Sequence, residues 1–281
     1  MKKMALALLL VALFGFSNAS AQQPVHQHDL DCVSELFIKM VNDDNLSDMM
    51  ERLSLYEQSG FSYQPQLAVP LQVDCKDDEQ LRTLAGMFIF DSNLALAFGH
   101  TKEALATKKF VRDTLLPRMH ERDKIVATPF DPAVLKTLLE DPSNKDALAA
   151  MRAHTVKETL LMAELAKTDP EVMELLVETL YGAVIQGVYV AVSMAQDVPM
   201  TPELVKVFNS QVDRLELLDE IIDSIGSEEY KIMLEYYERD RIVDTIKDTL
   251  KATHGKPSAK DLQAILTLAT KSRSNYATPC Q

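Results

Sequence analysis

Two long segments of the chain have no polar face, and they constrain the fold more than any other feature. Residues 81–99 and 172–195 are apolar on nearly every side at helical spacing. A helix that is apolar all round lies either in a large protein core or in a membrane. The second segment contains Glu174, Glu178 and Gln186, and ionised groups are costly in lipid. The sequence therefore predicts two central helices buried in a protein core.

Small residues predict where these two helices meet. In the second segment they recur at every fourth position, at Ala183, Gly187, Ala191 and Ala195. The first segment has a shorter version, Ala95 and Gly99. Such stripes let two backbones approach closely. We expect the helices to cross there, and a leucine in place of Gly187 to destabilise the protein by overpacking.

Capped prolines mark helix starts in the second half of the chain. Asp131-Pro132, Asp169-Pro170 and Thr201-Pro202 each place a hydrogen-bonding side chain before a proline at the first helical position. With the hydrophobic periodicity of the rest of the chain, they predict about ten helices. The helices are expected over approximately residues 30–41, 46–58, 77–98, 101–116, 132–140, 144–167, 170–196, 202–225, 227–253 and 258–271.

These helices predict an all-α fold. The chain has only 8 glycines, and its polar and apolar residues never alternate over a length that would make a strand. We expect one multi-helix bundle around the two central helices, with a weak subdivision near residue 128. The charged run at 118–124 is expected to be solvated.

The first 21 residues have the pattern of a secretory signal peptide. Two lysines precede an apolar run over 4–16, and small residues follow at 19–21. This arrangement predicts cleavage after residue 21. We therefore expect residues 22–281 to form an all-helical domain that works in the periplasm.

The net charge and the cysteines limit which classes of molecule this chain can bind and which covalent links it can form. The net charge of −13 disfavours nucleic acid, which needs a basic face. In an oxidising compartment the three cysteines predict one disulfide, which we assign to Cys32 and Cys75. This disulfide would stabilise the folded state by about 4 kcal/mol. Cys280, near the end of the chain, is either free or links two chains.

Several landmark residues give the chain a family resemblance. They are Gly86, Phe90-Asp91, Leu94, Phe98-Gly99, Glu103 and Gln186-Gly187-Val188-Tyr189. In these positions the chain resembles uncharacterised exported all-helical bacterial proteins. The resemblance implies a single helical domain whose two halves pack together, and it implies no activity.

Asp91 is the central candidate for a functional site. It shares a helix face with Met87, Leu94 and Phe98, so it should be buried, and a buried carboxylate must be paired or have a raised pKa. One interpretation is a polar network that fixes the register of the helices; the other is a ligand or acid–base site. The candidate residues are Asp91, Asn93, Glu178, Tyr181, Gln186 and Tyr189.

A second candidate is a metal site near the start of the mature chain. His26 and His28 precede Asp29 and Asp31, and imidazole with carboxylate suits zinc or copper. The alternative is a simple polar leader. The remaining histidines have no zincin or di-iron spacing, and no cofactor is predicted.

The sequence favours a non-enzymatic exported protein that binds a small apolar ligand or an envelope partner. This hypothesis depends on the signal pattern, the all-α prediction and the absence of catalytic motifs. The alternative is an enzyme or metal-binding protein with a polar site between the central helices around Asp91. We expect no nucleic-acid partner and no transmembrane segment after residue 21, and a dimer linked through Cys280 stays open.

Overall fold

The computed structural model confirms the all-α prediction. It describes residues 27–42, 45–73, 77–125, 131–141, 144–196, 198–226 and 236–277, and this part of the chain contains ten α-helices and no strand. In chain order they are α1 Gln27–Asn42, α2 Asn45–Gln58, α3 Asp78–Ala97, α4 Thr101–Phe110, α5 Pro132–Glu140, α6 Lys145–Ala166, α7 Pro170–Ala195, α8 Pro202–Ser224, α9 Tyr236–Ala252 and α10 Ala259–Ala277.

The three predicted helix caps are confirmed. The side chains of Asp131, Asp169 and Thr201 accept hydrogen bonds of 2.8, 3.1 and 3.2 Å from backbone N–H groups two or three residues further on. One helix is shorter than expected, because α4 gives way to the π-helical turn Val111–Leu115. Pro117 follows this turn, and its ring and missing N–H oppose a regular α-helix.

The central pair α3 and α7 forms the middle of the core, as predicted. Both run in the same direction, since Arg82 meets Glu178 in the first half of each helix and Asp91 meets Gln186 further along both. Helix α7 is long and apolar enough to cross a membrane by composition, but 72% of its most apolar window is buried inside the protein. A smaller satellite core lies where the end of α3 meets α4, α5 and the start of α6.

The two central helices touch backbone to backbone at a pair of glycines. A Cβ atom on Gly86 would lie 1.8 Å from the carbonyl oxygen of Thr179, and one on Gly182 would lie 1.9 Å from the carbonyl oxygen of Thr83. The contact is reciprocal, and each glycine ends the same short sequence, Thr-Leu-x-Gly. Only glycine allows helices this close.

The predicted contact stripe was therefore placed one turn too far along α7. A Cβ atom on Gly187 would lie 3.0 Å from side-chain atoms of Gln211 and Phe90. Gly187 thus faces side chains, not the backbone of α3. Gly99 has a different role, because its φ of +74° ends α3 in a left-handed turn.

Candidate functional site

Asp91 lies at the centre of a buried polar group that we name the Asp91 cluster: Asp91, Gln186 and Arg273. One oxygen of Asp91 accepts a hydrogen bond from the backbone N–H of Val69 at 2.8 Å, and the other accepts from Nε2 of Gln186 at 2.8 Å. Gln186 Nε2 also donates to the Leu67 carbonyl at 3.0 Å, and its Oε1 accepts from Nε of Arg273 at 2.8 Å. The cluster therefore joins three helices and the segment at 67–69.

Arg273 completes the attachment of that segment. Its Nη2 donates to the carbonyls of Leu67 and Ala68 at 3.3 Å each, and its guanidinium lies 4.5 Å from the ring centre of Tyr189. Burial raises the pKa of Asp91 to about 7, although its two hydrogen bonds and the charge of Arg273 oppose the rise. The arrangement resembles a structural clamp, because both carboxylate oxygens already have donors.

A second buried group, the arginine–glutamate cluster, lies near the start of α3 and α7. It consists of Arg82, Glu121, Glu174, Glu178 and Arg239. Nε of Arg82 donates to Glu178 at 2.7 Å, Nη1 donates to Glu121 at 2.6 Å, and Nη2 lies 3.5 Å from Glu174. One guanidinium thus neutralises carboxylates from α7 and from the turn at 120–123.

Arg239 of α9 joins the same cluster from the other side. Its Nη1 lies 3.8 Å from Glu178, and its Nη2 bonds to Glu79 and donates to the Tyr276 hydroxyl at 3.2 Å. The guanidinium also lies 4.7 Å from the ring centre of Tyr181. Burial raises the pKa of Glu178 to about 7 despite the two arginines.

The predicted site residues separate into different places. Gln186 contacts Asp91 directly. Tyr189 does not, but its ring lies against the guanidinium of Arg273, which belongs to the same cluster. Glu178 and Tyr181 belong to the arginine–glutamate surroundings, where the Tyr181 hydroxyl shares a 2.7 Å hydrogen bond with Ser272. No single site therefore contains all six candidates, and Asn93 belongs to neither cluster.

Sequence reasoning missed the cations that hold both clusters. The expectation that residues 118–124 are solvated is wrong at Glu121, which is 1% exposed and paired to Arg82. A signal for Arg82 was present, because it is a charge within a helix that has no polar face. Arg239 and Arg273 lie on amphipathic helices, so periodicity alone gave no reason to select them.

One residue of α3 interrupts the burial of this helix. Ile89 is 39% exposed, whereas every other residue from Leu81 to Leu96 is buried. Asn93 follows one turn later on the same face. Asn93 is 7% exposed, and its amide atoms are not among the fully buried side-chain atoms that lack a hydrogen-bond partner in the described residues. We name this feature the Ile89 opening.

Three other helices carry half-buried residues. On α7, the face next to the glycine contact carries half-buried Leu180 and Ala183. On α4, Lys108 follows Ala104 by one turn, and Ala104 belongs to the satellite core at the end of α3. The middle of α6, over 154–160, is half-exposed between its two buried ends.

A lysine, a carboxylate and an imidazole on α4 and α6 form a charged group. Lys108 is half-buried, and loss of hydration lowers its pKa to about 8, while the charge of Glu158 opposes the fall. Nε2 of His154 lies 3.3 Å from the Glu158 carboxylate.

The metal and disulfide predictions fall largely outside the described residues. His26, Cys75 and Cys280 lie there, while Cys32 has a free thiol 3.7 Å from the ring nitrogens of His28. The His26–His28 metal site therefore stays a prediction, whereas the Cys32–Cys75 disulfide is not supported, because the Cys32 thiol is free.

A group of carboxylates on α8 and α9 has its own internal cation. Asp219, Asp240 and Asp244 lie close enough to hold a metal ion. Nζ of Lys247 lies 2.5 Å from both Asp219 and Asp244. The lysine ammonium thus already pairs with two of these three carboxylates.

The chain matches no protein-family model, and no curated protein and no solved structure is significantly similar to it. Function therefore has to be argued from the site itself.

Proposed function

We propose that this chain is an exported, non-enzymatic binding protein that holds a small apolar ligand in the Ile89 opening. The observation that carries this proposal is the 39% exposure of Ile89 in the middle of a helix that is otherwise buried from Leu81 to Leu96. Small-molecule sites are concave and mostly apolar, with a few convergent polar groups. Asn93 supplies one such group, one turn from Ile89 on the same face of α3.

The Asp91 cluster supports the binding role over the enzymatic alternative. Asp91 is 5% exposed, and each of its oxygens accepts a hydrogen bond from the protein. A general acid or base must reach the proton that it transfers, and a carboxylate enclosed in this way has no such access. Its contacts are those of a residue that fixes two helices and one loop.

The compartment in this proposal depends on residues 1–21, which lie outside the described part of the chain. Their basic start, apolar run and small residues are typical of a cleaved signal peptide. The net charge of −13 disfavours nucleic acid as a partner, because a phosphate backbone is bound by a basic face. An exported protein of this kind could instead bind a partner in the cell envelope. No surface of the described residues favours such a partner over a small ligand.

Native mass spectrometry of protein from the periplasm tests the proposal. We expect one small apolar molecule per chain in the wild type and its loss in Ile89→Gln. Leu139→Gln is the matched control, because Leu139 is 49% exposed on α5 and should leave the ligand bound. A wild-type protein that carries no ligand and binds neither decanoate nor 1-decanol would overturn the proposal, and a stoichiometric metal would favour the alternative.

A further inference from the structure

We infer that α1 carries a binding site for a divalent transition-metal ion of the zinc class, with Sγ of Cys32 and Nε2 of His28 as its protein ligands and the Asp29 carboxylate orienting the imidazole. The site goes beyond the proposed function, because it shares no residue with the Ile89 opening. When the ion binds, a metal–sulfur bond replaces the S–H bond of Cys32, and the proton passes to solvent.

The distance between the two ligand atoms is the first observation behind this inference. His28 and Cys32 lie one turn apart on α1, and Sγ of Cys32 is 3.7 Å from Nε2 of His28. Zinc–sulfur bonds of about 2.3 Å and zinc–nitrogen bonds of about 2.0 Å, at a tetrahedral angle, place the two ligand atoms about 3.5 Å apart. One ion can therefore bind both atoms after small rotations of the two side chains.

The buried carboxylate of Asp29 is the second, independent observation. Asp29 is 2% exposed, and within the described residues its Oδ2 is a buried oxygen that accepts no hydrogen bond. Its Oδ1 accepts from the backbone N–H of Gly226 at 3.0 Å and lies 3.8 Å from Nδ1 of His28. A metal-binding histidine commonly donates its second ring N–H to a carboxylate, which fixes the ring. Asp29 beside Nδ1 therefore leaves Nε2 for the ion.

The charges around Cys32 favour a metal ion over a nucleophilic thiol. The carboxylates of Glu35, Asp29 and Asp31 all act on this thiol. A reactive cysteine lies in electropositive surroundings that stabilise its thiolate, whereas carboxylates attract a cation. The ion also has access, since Cys32 is half-buried and the His28 side chain is 80% exposed. Water can therefore complete the coordination from the solvent side.

Cobalt titration of the protein with its thiols reduced tests the site, because a cobalt–thiolate bond gives a charge-transfer absorption band in the near ultraviolet. We expect a band that saturates at one ion per chain and is absent in Cys32→Ser. In calorimetry with zinc, His28→Gln should weaken binding at least about tenfold and Asp29→Asn about tenfold. His28→Gln also controls for folding, because this side chain is exposed.

Two further histidine variants locate the site. His120→Gln is the matched control, since His120 is exposed and next to a carboxylate in sequence but has no cysteine one turn away, and it should leave zinc binding unchanged. His26→Gln should leave it unchanged as well. Zinc binding that is lost in His26→Gln and kept in Cys32→Ser would overturn the inference, as would a wild type without the cobalt band or a band that persists in Cys32→Ser.

The site can also be separated from the other proposals. Ile89→Gln and Asp91→Asn should both keep the zinc ion, because neither residue belongs to α1. Failure of the metal to bind would therefore leave the apolar-ligand proposal in place. A zinc ion that is lost in Asp91→Asn and kept in His28→Gln would overturn the α1 site and assign the metal to the central helices.

Discussion

The two buried clusters along α3 and α7 hold the same helices by different means. In the arginine–glutamate cluster, Arg82 is 9% exposed and compensates carboxylates directly. In the Asp91 cluster, the half-buried Arg273 contacts an amide and two backbone carbonyls. The first cluster joins helices that are far apart in sequence, and the second attaches the loop segment at 67–69.

The two clusters therefore differ in whether water can supply the interactions that are lost when the arginine is removed. Removing one partner of a buried ion pair leaves an uncompensated charge, which is strongly destabilising. Carbonyls at the edge of a loop can instead bind solvent. We therefore expect the arginine–glutamate cluster to control global stability and the Asp91 cluster to control the local order of the loop.

The largest effect should come from separating α3 and α7, which disturbs both clusters at once. Gly86→Ala places a methyl group where the Thr179 carbonyl lies 1.8 Å away, so we expect a loss of more than about 4 kcal/mol in the free energy of unfolding. Gly187→Ala is the control, since it adds the same methyl group at a glycine with a less crowded surrounding. Its neighbours are side chains at 3.0 Å, and the expected cost is about 1–3 kcal/mol.

Urea unfolding of these two variants would measure the difference. Equal stability of the two would mean that the glycine contact does not determine the distance between α3 and α7. The overpacking expected of Gly187→Leu should fall between the two, because a leucine must displace the Gln211 and Phe90 side chains.

The next largest effect should come from Arg82→Met. It leaves Glu121 and Glu178 buried without their main cation, at a cost of about 3–5 kcal/mol. Arg122→Met changes the same chemistry at an exposed position next to Glu121 and should stay within about 0.5 kcal/mol of the wild type. Thermal denaturation would measure both, and a stable Arg82→Met would show that the buried carboxylates are protonated and do not need the arginine.

Raising the pH should weaken both clusters. Burial raises the pKa of Asp91 and of Glu178 to about 7, so the folded state binds more protons than the unfolded state between pH 4 and 7. The resulting stability is complete below about pH 4 and is lost as the pH rises through about 7. From pH 5 to pH 8 we expect the free energy of unfolding to fall by up to about 5 kcal/mol.

Asp91→Asn separates the contributions to this pH dependence. It removes one titrating group, so urea unfolding at pH 5 and pH 8 should give a smaller fall than in the wild type. A wild-type protein that becomes more stable over this range would show that pairing with the arginines outweighs burial.

The smallest effect should come from Arg273→Met. Its partners are Gln186 and the carbonyls of Leu67 and Ala68, and we expect a global cost of about 1–2 kcal/mol. Hydrogen exchange of the Val69 amide should rise more than that of the α3 amides. An equal rise in both would contradict the local role of the Asp91 cluster.

Local patterns in the sequence were enough to predict the helices. Each capped proline supplies an N–H acceptor and a fixed φ at one position, so Asp131, Asp169 and Thr201 could be recognised without knowledge of their neighbours. The two segments without a polar face likewise predicted the central pair. Burial of Asp91 followed from the same periodicity, because its helix face was apolar.

The contacts between helices were decided only by the tertiary structure. Arg82 and Glu178 are 96 positions apart, and no periodicity within one helix states which partner faces it. The choice of Gly86 and Gly182 over Gly187, the burial of Glu121 and the exposure of Ile89 have the same origin. Each of these features depends on how closely a second helix approaches. The sequence by itself determined where the helices lie and which of them had to be buried.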